Sequence, residues 1–178
     1  EVAQGYKPVK EKSAIAKFPV KGEENTYFLA WTTTPWTLPS NVALCVHPDD
    51  SYVKVQKGEY VYYIAEALLD AVLKEDYTVL EHYTGKDLEY KEYEPLFNFV
   101  QPKEKCWYVT CDTYVTMSDG TGVVHIAPAF GEDDAKVGRR YDLPFVQLVD
   151  TRGRMCGGTP WDGEFVKDAD KLILNDLK

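Results

Sequence analysis

The sequence predicts an α+β domain built around a closed or nearly closed, antiparallel β-barrel-like core with a few helices. Three observations lead there. Short apolar or alternating runs of about four to eight residues recur along the chain between turn residues. Thirteen tyrosines in 178 residues favour strands over a helical bundle. Only two or three stretches carry a helical pattern, and these lie between strand candidates.

Taken in order, residues 15–20 (IAKFPV) and 26–31 (TYFLAW) are aromatic-rich runs separated by the turn-like KGEEN, an antiparallel pair. After a threonine- and proline-rich stretch the chain resumes with VALCVHP. SYVKVQKG and EYVYYIA then alternate on either side of Lys57-Gly58, a hairpin signal. A helix is predicted over 65–74, a strand over 77–82, and a loop around Gly85 before the tyrosine-rich DLEYKEYEPLF. Residues 106–110 (CWYVT) and 122–127 (GVVHIA) read as strands. GEDDAKVGRRYDL, from Gly131, places acidic residues before arginines, the order a helix dipole favours, and Pro144 stops it. The end predicts a strand (FVQLVD), a turn at Arg152-Gly153, the loop GGTPWDG and a helix near 166–177.

The chain is 44% hydrophobic and 28% charged, a globular composition, and 178 residues can bury a core without staples. No apolar run approaches the roughly 20 residues of a membrane helix, and EVAQGYKPVKEK lacks the core of a secretory signal. A cytoplasmic, monomeric protein with free thiols at Cys45, Cys106, Cys111 and Cys156 is expected. Residues 1–14, polar and without an initiator Met, read as a connecting segment from a longer parent chain, and 15–178 as a single domain. Twenty Lys+Arg against 29 Asp+Glu give a net charge of -9. That is the wrong sign for gripping phosphate backbones, so any nucleic acid is touched over a few nucleotides only.

Candidate chemistry is sparse. Cys106-x4-Cys111 is half of a zinc site with no second pair at finger spacing, so no metal and no cofactor are expected. No cysteine or serine sits in a nucleophile elbow that would engage His47, His82 or His125 as base, and there is neither a P-loop nor a G-x-G-x-x-G. Asp119-Gly120-Thr121-Gly122 leads into a strand and reads as a tight turn where two backbones approach. The run Glu132-Asp133-Asp134 reads as first-turn carboxylates of a helix.

WTTTPWTLPSN, residues 31–41, is different: four threonines, two prolines and two tryptophans in eleven residues. Restricted χ1 angles at the threonines and fixed φ at Pro35 and Pro39 make it stiff. A stiff array of hydroxyls and backbone N–H groups suits the positioning of a polar ligand and a water, without covalent chemistry.

TTTPWTLPSN (32–41) together with GTGVVHIAPAFGEDD (120–134) resembles the editing domain of isoleucyl-tRNA synthetase, the connective peptide inserted in the isoleucyl, valyl and leucyl enzymes. The resemblance runs over essentially the whole chain, including GGTPWDG and Asp168-Ala169-Asp170. The valyl and leucyl domains carry an arginine after two threonines and an acidic residue after the proline, where this chain has Thr34 and Trp36. No HIGH-type or KMSKS-type signature is present, so no synthetic site is expected.

The resemblance implies hydrolysis of mischarged Val-tRNA(Ile). Valine is isoleucine minus one methylene, and a hydrophobic pocket rejects the smaller side chain by only about 1–3 kcal/mol, a limit for which this pair is itself the standard example. A second pocket too small for isoleucine removes what the first lets through. The family implies that Asp134 binds the α-ammonium of the aminoacyl ester, kept ionised by its helix N terminus. Thr32, Thr33 and Thr34 would hold the terminal adenosine, the ester and the attacking water. Trp36 and His125 would shape the side-chain pocket, with Asn41 in support. His125 is either the obstacle to isoleucine or a general base, the steric role being preferred. The implied partners are the 3′ end of tRNA(Ile) carrying valine and the remainder of the parent synthetase. Two other readings stay open: a module that only docks tRNA ends, and a barrel binding an unrelated small molecule.

Overall fold

The first two apolar, aromatic-rich runs set the frame of the sheet. The computed structural model describes residues 14–32, 35–96, 106–117, 120–144, 146, 148, 154, 155, 159–163 and 173. Strand β1 (Ala14–Pro19) buries Ala16 and Phe18 and exposes Ile15. It runs antiparallel to β2 (Thr26–Thr32), with Phe18 opposite Phe28 and Ile15 opposite Trp31. The predicted hairpin is present as β4 (Ser51–Lys57) and β5 (Tyr60–Ala65), Lys57 facing Tyr60 across the turn. Strand β6 (Thr78–Thr84) lies antiparallel on the outer edge of β4.

Among the described residues, three further strands make up an eight-stranded mixed sheet curved into a half-barrel: β3 (Ala43–Val46), β7 (Tyr108–Cys111) and β8 (Val123–Ile126). Their order is β6-β4-β5-β2-β8-β3-β7, with β1 on the other edge of β2. The α+β class and barrel-like curvature follow the sequence, but the sheet is mixed and not wholly antiparallel: β2 pairs parallel with β5 and β8, and β3 with β7. Alternation reports which face is buried and carries no direction. β5 reaches β2 only after the chain has passed through β3 and β4, and such a crossover permits a parallel pair where a tight turn would not.

The helices are short. The stretch predicted over 65–74 is a 3-10 turn, Glu66–Leu68, leading into α1 (Leu69–Leu73). The loop expected around Gly85 is instead a helical turn, α2 (Gly85–Leu88), with a capping box in which the Asp87 carboxylate accepts the Thr84 N–H at 3.0 Å. Glycine is needed there because a Cβ would stand 1.9 Å from the His47 carbonyl oxygen. The acidic-to-basic stretch forms α3 (Glu132–Tyr141), which ends at a left-handed Asp142 before Pro144 is reached. The strand at 145–150, the turn at 152–153 and the helix at 166–177 fall for the most part outside the described residues. Val146, Leu148 and Ile173, which are described, are buried.

Two packing contacts position the site. Val42, Ile126 and Val137 share one apolar cluster, which fixes α3 against β3 and β8. Gly138 brings α3 so close to the 3-10 turn Pro128–Phe130 that a Cβ would lie 3.0 Å from Pro128. The edge of β2 is shared: β5 pairs with Thr26, Tyr27 and Phe28, and β8 meets only Trp31. The sheet therefore parts beside the end of β2, where the Ala65 N–H donates to the Thr121 carbonyl at 3.0 Å. At this seam Gly122 has φ +77°, and a Cβ there would sit 2.3 Å from that of Ala65. This is the close backbone approach the glycine pair predicts. Gly122→Ala is expected to cost at least about 2 kcal/mol from left-handed strain and overpacking, read as a lower urea midpoint.

Candidate active site

β2 ends at Thr32 and the chain enters the 3-10 helix Pro35–Ser40, placing the threonine-rich run beside the parted edge of the sheet. Thr33 and Thr34 lie outside the described residues. Trp36 lies in the 3-10 helix between Pro35 and Thr37. A cavity of about 250 Å³ opens at this edge, lined by Trp31, Thr32, Thr37, Val124, His125, Phe130 and Asp134. Thr32, His125 and Asp134, taken from two motifs far apart in sequence, share one wall-to-wall space. Trp31, Thr37 and Phe130 are lining residues to which sequence reasoning gave no role.

His125 stands on β8 opposite Leu44 of β3 and is 7% exposed. Both ring nitrogens are engaged: Nε2 lies 2.7 Å from Thr37 Oγ1 and Nδ1 lies 3.1 Å from Asn41 Nδ2. The network fixes the tautomer. Asn41 Nδ2 donates to the Ala43 carbonyl at 2.8 Å, while Asn41 Oδ1 accepts the Tyr93 hydroxyl. The amide nitrogen therefore faces the ring, Nδ1 accepts, and the proton sits on Nε2 and is donated to Thr37. Asn41 does not line the cavity; it stands behind His125 and holds it.

Burial pushes the His125 imidazole down from 6.5 to about 4. A second proton would also place Nδ1–H against the Asn41 N–H. The unfolded chain protonates this ring near 6.5 and the folded chain near 4, so its contribution is complete above 6.5 and is lost as pH falls through this window. The expected loss is about 3 kcal/mol of stability between pH 7 and 4. Urea unfolding at both pH values measures it, and in His125→Gln that part of the pH dependence is expected to vanish.

Asp134 is the third residue of α3, and its Oδ2 accepts the Ala127 N–H at 3.0 Å. This bond ties the helix start to the end of β8 and holds the carboxylate at the cavity. Burial pushes the Asp134 carboxyl up, the Ala127 N–H partly opposes this, and neighbouring Asp133 adds to the rise. The helix N terminus, expected to keep the group ionised, works against burial here. A cationic group in the cavity would supply the missing counter-charge.

The Cys45 and Cys111 thiols are poor nucleophiles. Cys45 is buried on β3 and pushed up to about 12, and Cys111 on β7 to about 11, burial being the main cause in both. Among the described residues, no three His, Cys, Asp or Glu side chains converge as a metal cluster would require, and no helix is long and apolar enough to cross a membrane. Among the described residues the cavity offers one carboxylate, hydroxyls and a rigid neutral ring, which suit binding and orientation.

No family model matches the chain. It is 54% identical over 180 residues to the isoleucine–tRNA ligase of Clostridium novyi and 46% identical over 178 residues to that of Picrophilus torridus, with all of the chain covered in each case. It spans 17% of the length of these curated relatives. Among solved structures it is similar to GlLeuRS-CP1, with a TM-score of 0.73 at 13% identity, covering 92% of this chain and 93% of that one. The P. knowlesi cytosolic leucyl-tRNA synthetase editing domain gives 0.67 at 14% identity, covering 93% and 94%. Those two likenesses carry the fold, and the ligase sequences carry the subfamily. The chain belongs to the isoleucyl-tRNA synthetase family, as a segment that has the fold of these leucyl-tRNA synthetase editing domains.

Proposed function

We propose that this chain hydrolyses the ester of mischarged Val-tRNA(Ile) after transfer, in a pocket that admits valine and excludes isoleucine. The observation that carries this reading is the convergence of Thr32, His125 and Asp134 on one cavity. Asp134 pairs with the α-ammonium of the aminoacyl group, which offsets the cost of burying its charge. His125 is a steric wall: with Nδ1 occupied and protonation suppressed by burial, it is a poor base and a stiff obstacle.

Thr32, Thr33 and Thr34 hold the terminal adenosine, the ester and the attacking water, and Trp36 helps to shape the side-chain pocket. The water oxygen bonds to the ester carbonyl carbon, the bond to the ribose oxygen breaks, and that oxygen takes up a proton. Free valine and uncharged tRNA leave. An ester is already an activated acyl group, so positioning a water suffices and no protein nucleophile is needed.

In this reading residues 1–14 connect to the parent synthetase and 15–178 form the editing domain, acting as a monomer in the cytoplasm. Other parts of the parent carry the tRNA body, which suits the net charge of -9 here. The test is valine release from Val-tRNA(Ile) at high concentrations of this chain, with a non-hydrolysable valyl-adenosine amide as competitor. Release that the amide blocks supports the deacylase. Binding of the amide without release would leave a docking module, and failure to bind it would favour an unrelated ligand.

A further inference from the structure

Tyr93 lies outside both sequence motifs, yet its hydroxyl donates to Asn41 Oδ1 and, together with the Ala43 carbonyl that accepts from Nδ2, decides which way the amide faces. Its ring is held independently of that bond. The Tyr93 N–H donates to the Trp107 carbonyl at 3.0 Å, an antiparallel bridge joins Tyr93 to Val20, and the ring meets Phe18 edge-on at 5.3 Å. Asn41 is gripped from the same side, since the Trp107 indole N–H donates to its carbonyl at 3.2 Å. The chain of donors thus runs from Tyr93 to Asn41, from Asn41 to His125 and from His125 to Thr37, and its last two members line the cavity.

We infer that Tyr93 is a positioning residue for substrate discrimination, fixing through Asn41 the tautomer and orientation of the imidazole that faces the substrate side chain. The inference rests on the deacylase reading for its substrate and goes beyond it in assigning where the sieve gets its rigidity. Without the hydroxyl, Asn41 Oδ1 loses its donor, and among the described residues the Ala43 carbonyl, which accepts from Nδ2 at 2.8 Å, is left as the one group that distinguishes the two ends of the amide. A turned amide would present Oδ1 to Nδ1, the ring proton would move to Nδ1, and Nε2 would accept from Thr37 in place of donating to it. A ring that alternates between two arrangements is a softer wall.

Tyr93→Phe removes only the hydroxyl and leaves the ring contacts in place. Two readouts are taken on the full chain. The first is the ¹⁵N–¹H spectrum of the imidazoles, which has only three histidines to resolve. The second is the ratio of Val-tRNA(Ile) to Ile-tRNA(Ile) hydrolysis. His125 is expected as the Nε2–H form in the unsubstituted chain and as a mixture of the two tautomers in the variant, where the Ala43 carbonyl alone still favours the original amide orientation. The ratio is expected to fall about tenfold through faster isoleucine release, the equivalent of about 1.4 kcal/mol. Asn41→Asp, which cannot donate to Nδ1, is expected to move both readouts in the same direction. An unchanged tautomer in Tyr93→Phe, or a changed tautomer with the ratio intact, would overturn the inference. Absence of valine release by the unsubstituted chain would instead be the failure of the deacylase reading. The imidazole spectrum reports the network whether or not substrate turns over.

Discussion

Asp134→Asn is expected to lower kcat/KM for Val-tRNA(Ile) hydrolysis about a hundredfold, and Asp134→Ala about a thousandfold, in line with the 2–5 kcal/mol lost when one partner of a buried charge pair is truncated. The two variants separate chemistry from folding. Asparagine can still accept the Ala127 N–H through its side-chain oxygen, so its fold should be close to unchanged. Alanine leaves that N–H without its partner and should also lose about 1–3 kcal/mol of stability. Single-turnover deacylation and urea unfolding on the same samples measure both effects. The ammonium role has a sharper signature. A tRNA carrying the α-hydroxy analogue of valine has no charge for Asp134 to bind, so Asp134→Asn should barely alter its hydrolysis. A loss equal to that with valine would show that the carboxylate acts elsewhere. Protonation should mimic the substitution: activity falls as pH drops through the raised Asp134 pKa.

His125→Ala is expected to raise hydrolysis of Ile-tRNA(Ile) about a hundredfold while valine release falls by no more than about threefold, since removing the wall relieves the clash of about 1–3 kcal/mol that an extra methylene meets in a tight pocket. A general base predicts the opposite pattern, with both substrates lost together. Thr37 and Asn41 each lose their ring partner in this variant, so it should also be less stable, and circular dichroism of the assayed sample confirms that it is folded. Side-by-side rates on the two aminoacyl-tRNAs read the result.

Much of this fold was legible because short apolar runs stand between turn residues. IAKFPV and TYFLAW are aromatic-rich, SYVKVQKG and EYVYYIA flank the turn at Lys57-Gly58, and β1, β2, β4 and β5 appear at these places. Direction was not legible, because a buried four-residue strand such as Ala43–Val46 has the same composition whether its neighbour runs with it or against it. In the sequence Gly85 signals a loop, because glycine marks loops as readily as it marks a close contact; its reason, the His47 carbonyl, lies in another part of the chain.

At the site, the two motifs carried Thr32, Asn41, His125 and Asp134, and the structure brings Thr32, His125 and Asp134 to one cavity with Asn41 behind them. Thr37 lay within the first motif but is separated from His125 by 88 residues, and only the fold reveals the pairing. Tyr93 is one of thirteen tyrosines and is marked out by nothing but its partner. The raised Asp134 carboxyl was also hidden. The helix N terminus can be read from GEDD, while the burial that opposes it depends on how α3 packs against β3 and β8.

The central claim is that this cavity sorts by size after transfer, and the comparison of Val-tRNA(Ile) with Ile-tRNA(Ile) on the unsubstituted chain tests it most directly. Both substrates are incubated with the chain in excess, and released amino acid is followed to completion. Valine is expected to be released while isoleucine stays on its tRNA. Equal release of both, or release of isoleucine in preference, would contradict it.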